Sequence, residues 1–153
     1  MMNYIRESWW LAGLTAISLI TGCLAPRPIL VGFAGELTGK QADLGVHGRN
    51  GVQLAVEDIN ARGGIAGRPV ELLVEDELGT PEGAREADRA LINAGVVAII
   101  GHMTSGQTMA VIPIINDAGV VLLSPTASTY ELSGLNDYFF RLNPDNLAAA
   151  RIL

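Results

Sequence analysis

The sequence has 153 residues, a net charge of −6 and 49% hydrophobic but only 5% aromatic residues, which suits one domain of ordinary size. Its single cysteine rules out an intrachain disulfide, and its 10 Lys and Arg are scattered, which argues against a nucleic-acid surface. Eighteen glycines among many Ala, Val and Ile fit a tightly packed α/β domain rather than a disulfide scaffold.

The chain opens with Arg6 and then the apolar run Trp9–Ile20, too short to span a bilayer comfortably and placed as the h-region of a secretory signal is placed. Glu7 departs from that pattern by cancelling the leading charge. The run ends in Ile20-Thr21-Gly22-Cys23, which resembles the bacterial lipobox: small residues admit a peptidase that cleaves before a cysteine, whose sulfur then carries lipid. The resemblance implies a lipoprotein signal peptide over residues 1–22, a lipid on Cys23 and, through it, attachment to a membrane. The alternative is an idle or buried cysteine behind an anchoring helix. Residues 23–28 form a tether containing Pro26 and Pro28.

Ile29–Phe33 reads as a first strand, a continuous apolar run of the kind buried on both faces. The loop Ala34–Gly39 follows, and Gly45, Gly48 and Gly51 lead into a helix whose Val52, Ala55, Val56 and Ile59 share one face. Arg62-Gly63-Gly64 stops it. The second strand is Val70–Val74, with Glu75-Asp76-Glu77 at its end as a solvated acidic tip. Thr80-Pro81-Glu82 starts the next helix, with Thr80 as N-cap and Ala84, Ala87, Leu91 and Ala94 on the buried side. Gly95 ends it.

Val96–Ile100 is the third strand. A third helix begins near Ser105 with Thr108, Val111, Ile112 and Ile115 inward; Pro113 inside it predicts a kink or a late start. Gly119 closes it before the fourth strand, Val120–Leu123. Tyr130–Leu132 reads as a helical turn and Tyr138–Arg141 as a fifth strand. Asp145 opens a last helix with Leu147, Ala150, Ile152 and Leu153 on its apolar side. Alternating strands and helices predict an α/β fold with a doubly wound parallel sheet and right-handed crossovers.

Several motifs fail on their residues. Gly39-Lys40 is not a P-loop, because Ala34 stands where the first glycine belongs and Gln41 where a magnesium-binding hydroxyl belongs. No dinucleotide fingerprint follows the first strand. His47 and His102 lack partners at metal-ligand spacing, so no metal or cofactor is expected. Ser105 follows His102 by three residues without a nucleophile elbow or an acid in sequence to orient the ring, so no catalytic residue is assigned.

The polar loops after the third and fourth strands carry Ser105, Thr126 and Ser128. Read singly, these are capping and turn residues. Together they put hydroxyls and free N–H groups at the carboxyl ends of two neighbouring parallel strands, where open α/β sheets bind ligands. The N-terminus of the third helix is a natural seat for a carboxylate.

Gly51–Ile65 (GVQLAVEDINARGGI), Val97–Ser105 (VAIIGHMTS) and Leu123–Ser128 (LSPTAS), with Phe139-Phe140-Arg141 after them, make Ile29–Leu153 similar to the amino-terminal lobe of periplasmic branched-chain amino-acid-binding proteins, the solute receptors of ABC transporters. The resemblance implies a Rossmann-like lobe of the type I periplasmic-binding fold over residues 29–141. Residues 142–153 would begin the crossover to a second lobe, before which the sequence is truncated. It implies that Ser105 binds a ligand carboxylate, that Thr126 and Ser128 offer backbone and hydroxyl groups to carboxylate and ammonium, and that Leu44, where the family often has an aromatic residue, packs beside the ligand. The implied ligand is an amino acid or small amide, the partners are permease subunits of an ABC transporter, and the location is the periplasmic or extracellular face of the cell envelope. A ligand-sensing receptor domain of the same fold is the alternative, against which the lipobox-like segment speaks.

Overall fold

The computed structural model describes residues 26–152. In chain order it contains β1 (Ile29–Gly35), α1 (Ala42–Ala61), β2 (Val70–Asp76), α2 (Pro81–Ala94), β3 (Ala98–Ile100), α3 (Ser105–Ala118), β4 (Val121–Ser124), a 3-10 turn (Tyr130–Leu132), β5 (Phe139–Arg141) and α4 (Asn146–Ala150). The signal-peptide segment 1–22, Cys23 and Leu153 lie outside the described residues.

The five strands form one parallel sheet in the order β2-β1-β3-β4-β5. Val31 of β1 sits opposite Leu72 on one side and Ala98 on the other, which fixes the register of β2, β1 and β3. From β1 the chain steps outward to β2, then returns past β1 to β3. Right-handed crossovers therefore place α1 on one face and α2 with α3 on the other. The gap between the ends of β1 and β3 is the switch point of the sheet, the place where open α/β folds hold ligands.

The main core lies under α2 and α3. Ala84, Ala87 and Leu91 of α2 and Val111 and Ile115 of α3 close over Ala34, Ile99, Leu122 and Phe139 of the sheet, all buried. Thr80 caps α2 by accepting from the Gly83 N–H at 3.0 Å, and Pro81 follows it at the first turn, as the sequence predicts. Gly95 and Gly119 end α2 and α3 in the left-handed conformation, with φ of 84° and 64°. α3 starts at Ser105 and runs on through Pro113, so the predicted late start does not occur; Pro113 is on the exposed side, where a freed carbonyl is least costly.

Four expectations need correction. First, α1 begins at Ala42, and Gly45, Gly48 and Gly51 lie inside it rather than before it. A Cβ at Gly45 would overlap the Glu36 carbonyl, so the helix tolerates the entropic cost of glycine in exchange for lying against the β1 loop. Second, Ala94 is exposed, and the stripe of α2 that faces inward contains Asp88 instead. Third, the apolar face of α1 is largely uncovered: only Val56 is buried, while Val52, Ala55 and Ile59 line an open trough of about 400 Å³ shared with Ile100, Met103 and Leu123. Fourth, α4 is a five-residue turn with no buried residue, and Leu147 and Ile152 are exposed; its Asp145 N-cap, which accepts from the Ala148 N–H at 2.7 Å, is as expected.

Candidate functional site

Parallel pairing of β1, β3 and β4 brings the loops after them to one edge of the sheet. The loops after β3 and β4 are stitched by side-chain bonds. Ser124 Oγ donates to the His102 carbonyl at 2.7 Å and accepts from the Ala127 N–H at 3.0 Å. Thr126 Oγ1 donates to the Met103 carbonyl at 2.6 Å. Ser105 Oγ accepts from the N–H groups of Ser128 and Thr129 at 3.2 and 3.3 Å. Behind the second loop, Arg141 Nη1 donates to the Thr129 carbonyl at 2.7 Å, and the Asn146 N–H donates to the Ser128 carbonyl at 2.8 Å.

These bonds bring Ser105, Thr126 and Ser128 together and define what each has left to offer. A hydroxyl carries one proton and two acceptor sites. Ser105 uses its acceptor capacity on the second loop, and among the described residues no acceptor engages its proton. Thr126 spends its hydroxyl proton on Met103, so its backbone remains. Ser128 spends its N–H on Ser105 and keeps its own hydroxyl. Leu44 stands in the first turn of α1, beyond the β1 end of the same edge, and is 37% exposed. Among the described residues no hydrogen bond joins it to the other three.

The N-terminus of α3 is electrically open. Thr104 occupies the N-cap position in extended conformation (φ −129°, ψ 152°) but makes no side-chain cap bond. Its first turn carries no acid, whereas the first turns of α1 and α2 carry Asp43 and Glu82. Gly106 leaves open space where a Cβ would stand. Uncapped first-turn N–H groups, a positive helix end and no competing carboxylate together suit an anion.

Directly behind this edge lies a cluster that the acidic tip and the lone histidine did not reveal in sequence. Glu77, Asp88 and His102 are all fully buried. His102 Nδ1 is bonded to Glu77 Oε2, and His102 Nε2 lies 3.2 Å from Asp88 Oδ1, close enough for an ion pair though not aligned as a hydrogen bond. Glu77 is therefore not part of a solvated tip, and His102 does have acids to orient it. Burial pushes the imidazole down, but Asp88 and then Glu77 outweigh it and raise the ring from 6.5 to about 9. The available signal was an acid on an otherwise apolar helical stripe, Ala84-Ala87-Asp88-Leu91. Such an acid needs a buried partner. Neighbouring Asp76 behaves differently: partial burial raises it, but the Thr38 hydroxyl at 2.5 Å and the Leu78 and Leu37 N–H groups at 2.9 Å lower it overall.

Residues 28–152 match the family model described as periplasmic binding protein. The chain belongs to the periplasmic binding protein family. Among curated members it is similar to the Leu/Ile/Val-binding protein of Escherichia coli, 32% identical over 129 residues, which is 84% of this chain and 35% of the relative. It is also similar to the Leu/Ile/Val-binding protein BraC3 of Rhizobium johnstonii, 34% identical over 116 residues, covering 76% and 32%. Among solved structures it is similar to the branched-chain amino acid transporter substrate-binding protein LivJ of Streptococcus pneumoniae in complex with isoleucine. The TM-score is 0.75 at 35% identity, covering 78% of this chain and 34% of that one. The periplasmic-binding-protein chain thus spans about a third of the length of the curated relatives it matches. Its five parallel strands and three main helices form one α/β lobe of that fold.

Proposed function

We propose that this lobe forms the carboxylate-gripping wall of a cleft that captures an amino acid, branched-chain in the first instance or a related small amide, outside the cytoplasm for an ABC transporter. The observation that carries the reading is the uncapped, acid-free N-terminus of α3 at the switch point, with the unengaged Ser105 proton beside it. A helix end contributes about 0.3–1 kcal/mol to a bound anion and up to ~2 kcal/mol when partly buried. A hydrogen bond from Ser105 to a carboxylate adds about 1.5–3 kcal/mol. The Ser128 hydroxyl and the backbone of Thr126 supply further polar groups for a zwitterion, and Leu44 supplies an apolar flank. The relatives named for Leu, Ile and Val and the isoleucine complex support this ligand class.

No bond is made or broken in this role; the lobe captures solute for permease subunits. Residues 29–141 constitute the lobe and 142–153 the start of a crossover to an opposing one. Removal of residues 1–22 and lipid on Cys23 would hold the protein at the cell envelope, a reading supported by the Ile20-Thr21-Gly22-Cys23 segment and the apolar run before it. The test is an amide NMR titration with L-isoleucine and, as control, isoleucinol, in which a hydroxymethyl group replaces the carboxylate. Isoleucine should shift the amides of Ser105, Gly106, Thr126 and Ser128 saturably, and isoleucinol should not. Equal responses to both, or shifts confined to another face, would remove the site from this edge.

A further inference from the structure

We infer that His102 is a positioning residue for this edge: its imidazole, clasped between Glu77 and Asp88, anchors the backbone from which the loops after β3 and β4 are hung. The inference rests on reading that edge as the ligand site. A neutral imidazole has one N–H and one lone pair, so it satisfies one carboxylate and turns a lone pair on the other. With a carboxylate at each nitrogen, the buried geometry calls for the imidazolium. The ring is thereby locked to the end of β2 through Glu77 and to α2 through Asp88. Its own carbonyl receives Ser124 Oγ, which in turn receives the Ala127 N–H, and the next carbonyl, of Met103, receives Thr126 Oγ1. Ser105 and its bonds to Ser128 and Thr129 follow within three residues.

Other nearby charges are committed elsewhere. Glu36, in the loop after β1, accepts from the Gln41 N–H at 2.9 Å; Asp76 accepts from Leu37, Thr38 and Leu78; and on α2 Arg85 pairs with Glu82 at 2.7 Å. Loss of the His102 proton leaves one buried carboxylate facing a lone pair, and the ring and the loops attached to it must rearrange.

The test is an NMR titration of the isotope-labelled full chain from about pH 6 to 10, following the His102 ring nitrogens and the amides of Ser105, Ala127 and Ser128. The ring should stay an imidazolium until near pH 9, and the three amides should shift with the same midpoint. Asp88→Asn should lower both midpoints together by at least about one pH unit, a tenfold loss of proton affinity. Amides that stay fixed while the ring titrates, or a midpoint unmoved in Asp88→Asn, would overturn the inference; if that variant fails to fold, the wild-type titration decides. A parallel titration with L-isoleucine separates the two readings. No binding at any pH would remove the ligand site yet leave ring and amides coupled. Binding that stays constant across the ring midpoint would remove the positioning role and leave the site.

Discussion

Ser105 Oγ accepts a hydrogen bond from the backbone N–H of Ser128 at 3.2 Å, although the two residues are 23 apart in sequence. The bond orients the serine: with its acceptor side turned to the second loop, its proton points away from it. Ser105→Ala therefore acts in two ways. It leaves two part-buried N–H groups without their partner, which should lower unfolding free energy by about 1–3 kcal/mol in a urea titration. It should also weaken a carboxylate ligand by about 1.5–3 kcal/mol by calorimetry, on a binding-competent form of the protein. Loss of stability with unchanged affinity would assign Ser105 to the scaffold alone.

Gly101, at the end of β3, has φ of +144°, and a Cβ there would overlap the Ala34 carbonyl of β1. The two strands meet closely because this position carries no side chain. Gly101→Ala should destabilise the lobe by about 2–4 kcal/mol, combining backbone strain with overpacking. A urea midpoint within error of wild type would contradict the close approach.

Asn60 makes a two-bond clasp with Val70: its Nδ2 donates to the Val70 carbonyl and its Oδ1 accepts from the Val70 N–H, each at 2.8 Å. The side chain acts as a strand partner and fastens the end of α1 to the start of edge strand β2. Asn60→Ala should cost about 1–3 kcal/mol. Hydrogen exchange at the Val70 amide should accelerate by more than at Leu122, in the sheet centre.

Stability should fall on both sides of neutrality, for different reasons. His102 has a folded pKa raised from 6.5 to about 9, so its contribution is complete below pH 6.5 and is lost as pH rises through 9. That contribution is on the order of 3 kcal/mol. Asp76 has a folded pKa below its ordinary 3.8, so its contribution is complete above that value and is lost as pH falls through the lower one. Thermal unfolding against pH should show both limbs, and His102→Gln should flatten the alkaline one.

Much of the lobe was legible because strands such as β1 and β3 are apolar runs and its helices carry strong end signals, such as Thr80-Pro81, Gly95 and Gly119. The loop pair of Ser105 and Thr126–Ser128 was legible for the same reason, since parallel strands force their carboxyl ends together. Three features escaped. The glycines of α1 look like loop residues until Glu36 is seen lying where a Cβ at Gly45 would stand. The partnership of Glu77, Asp88 and His102 joins three elements and has no local period. The apolar face of α1 promises burial, but the matching residues of β3 and β4 complete only one side of a trough.

That trough has a practical consequence for anyone following the unfolding of the lobe. A fully native molecule with such an oily channel should brighten hydrophobic dyes such as ANS, a response usually taken to mark loosened, molten states. Indole emission offers no substitute, since both tryptophans, Trp9 and Trp10, precede the lobe. Tyr130 and Tyr138, each about half exposed at 52% and 45%, are the native chromophores that will report its melting.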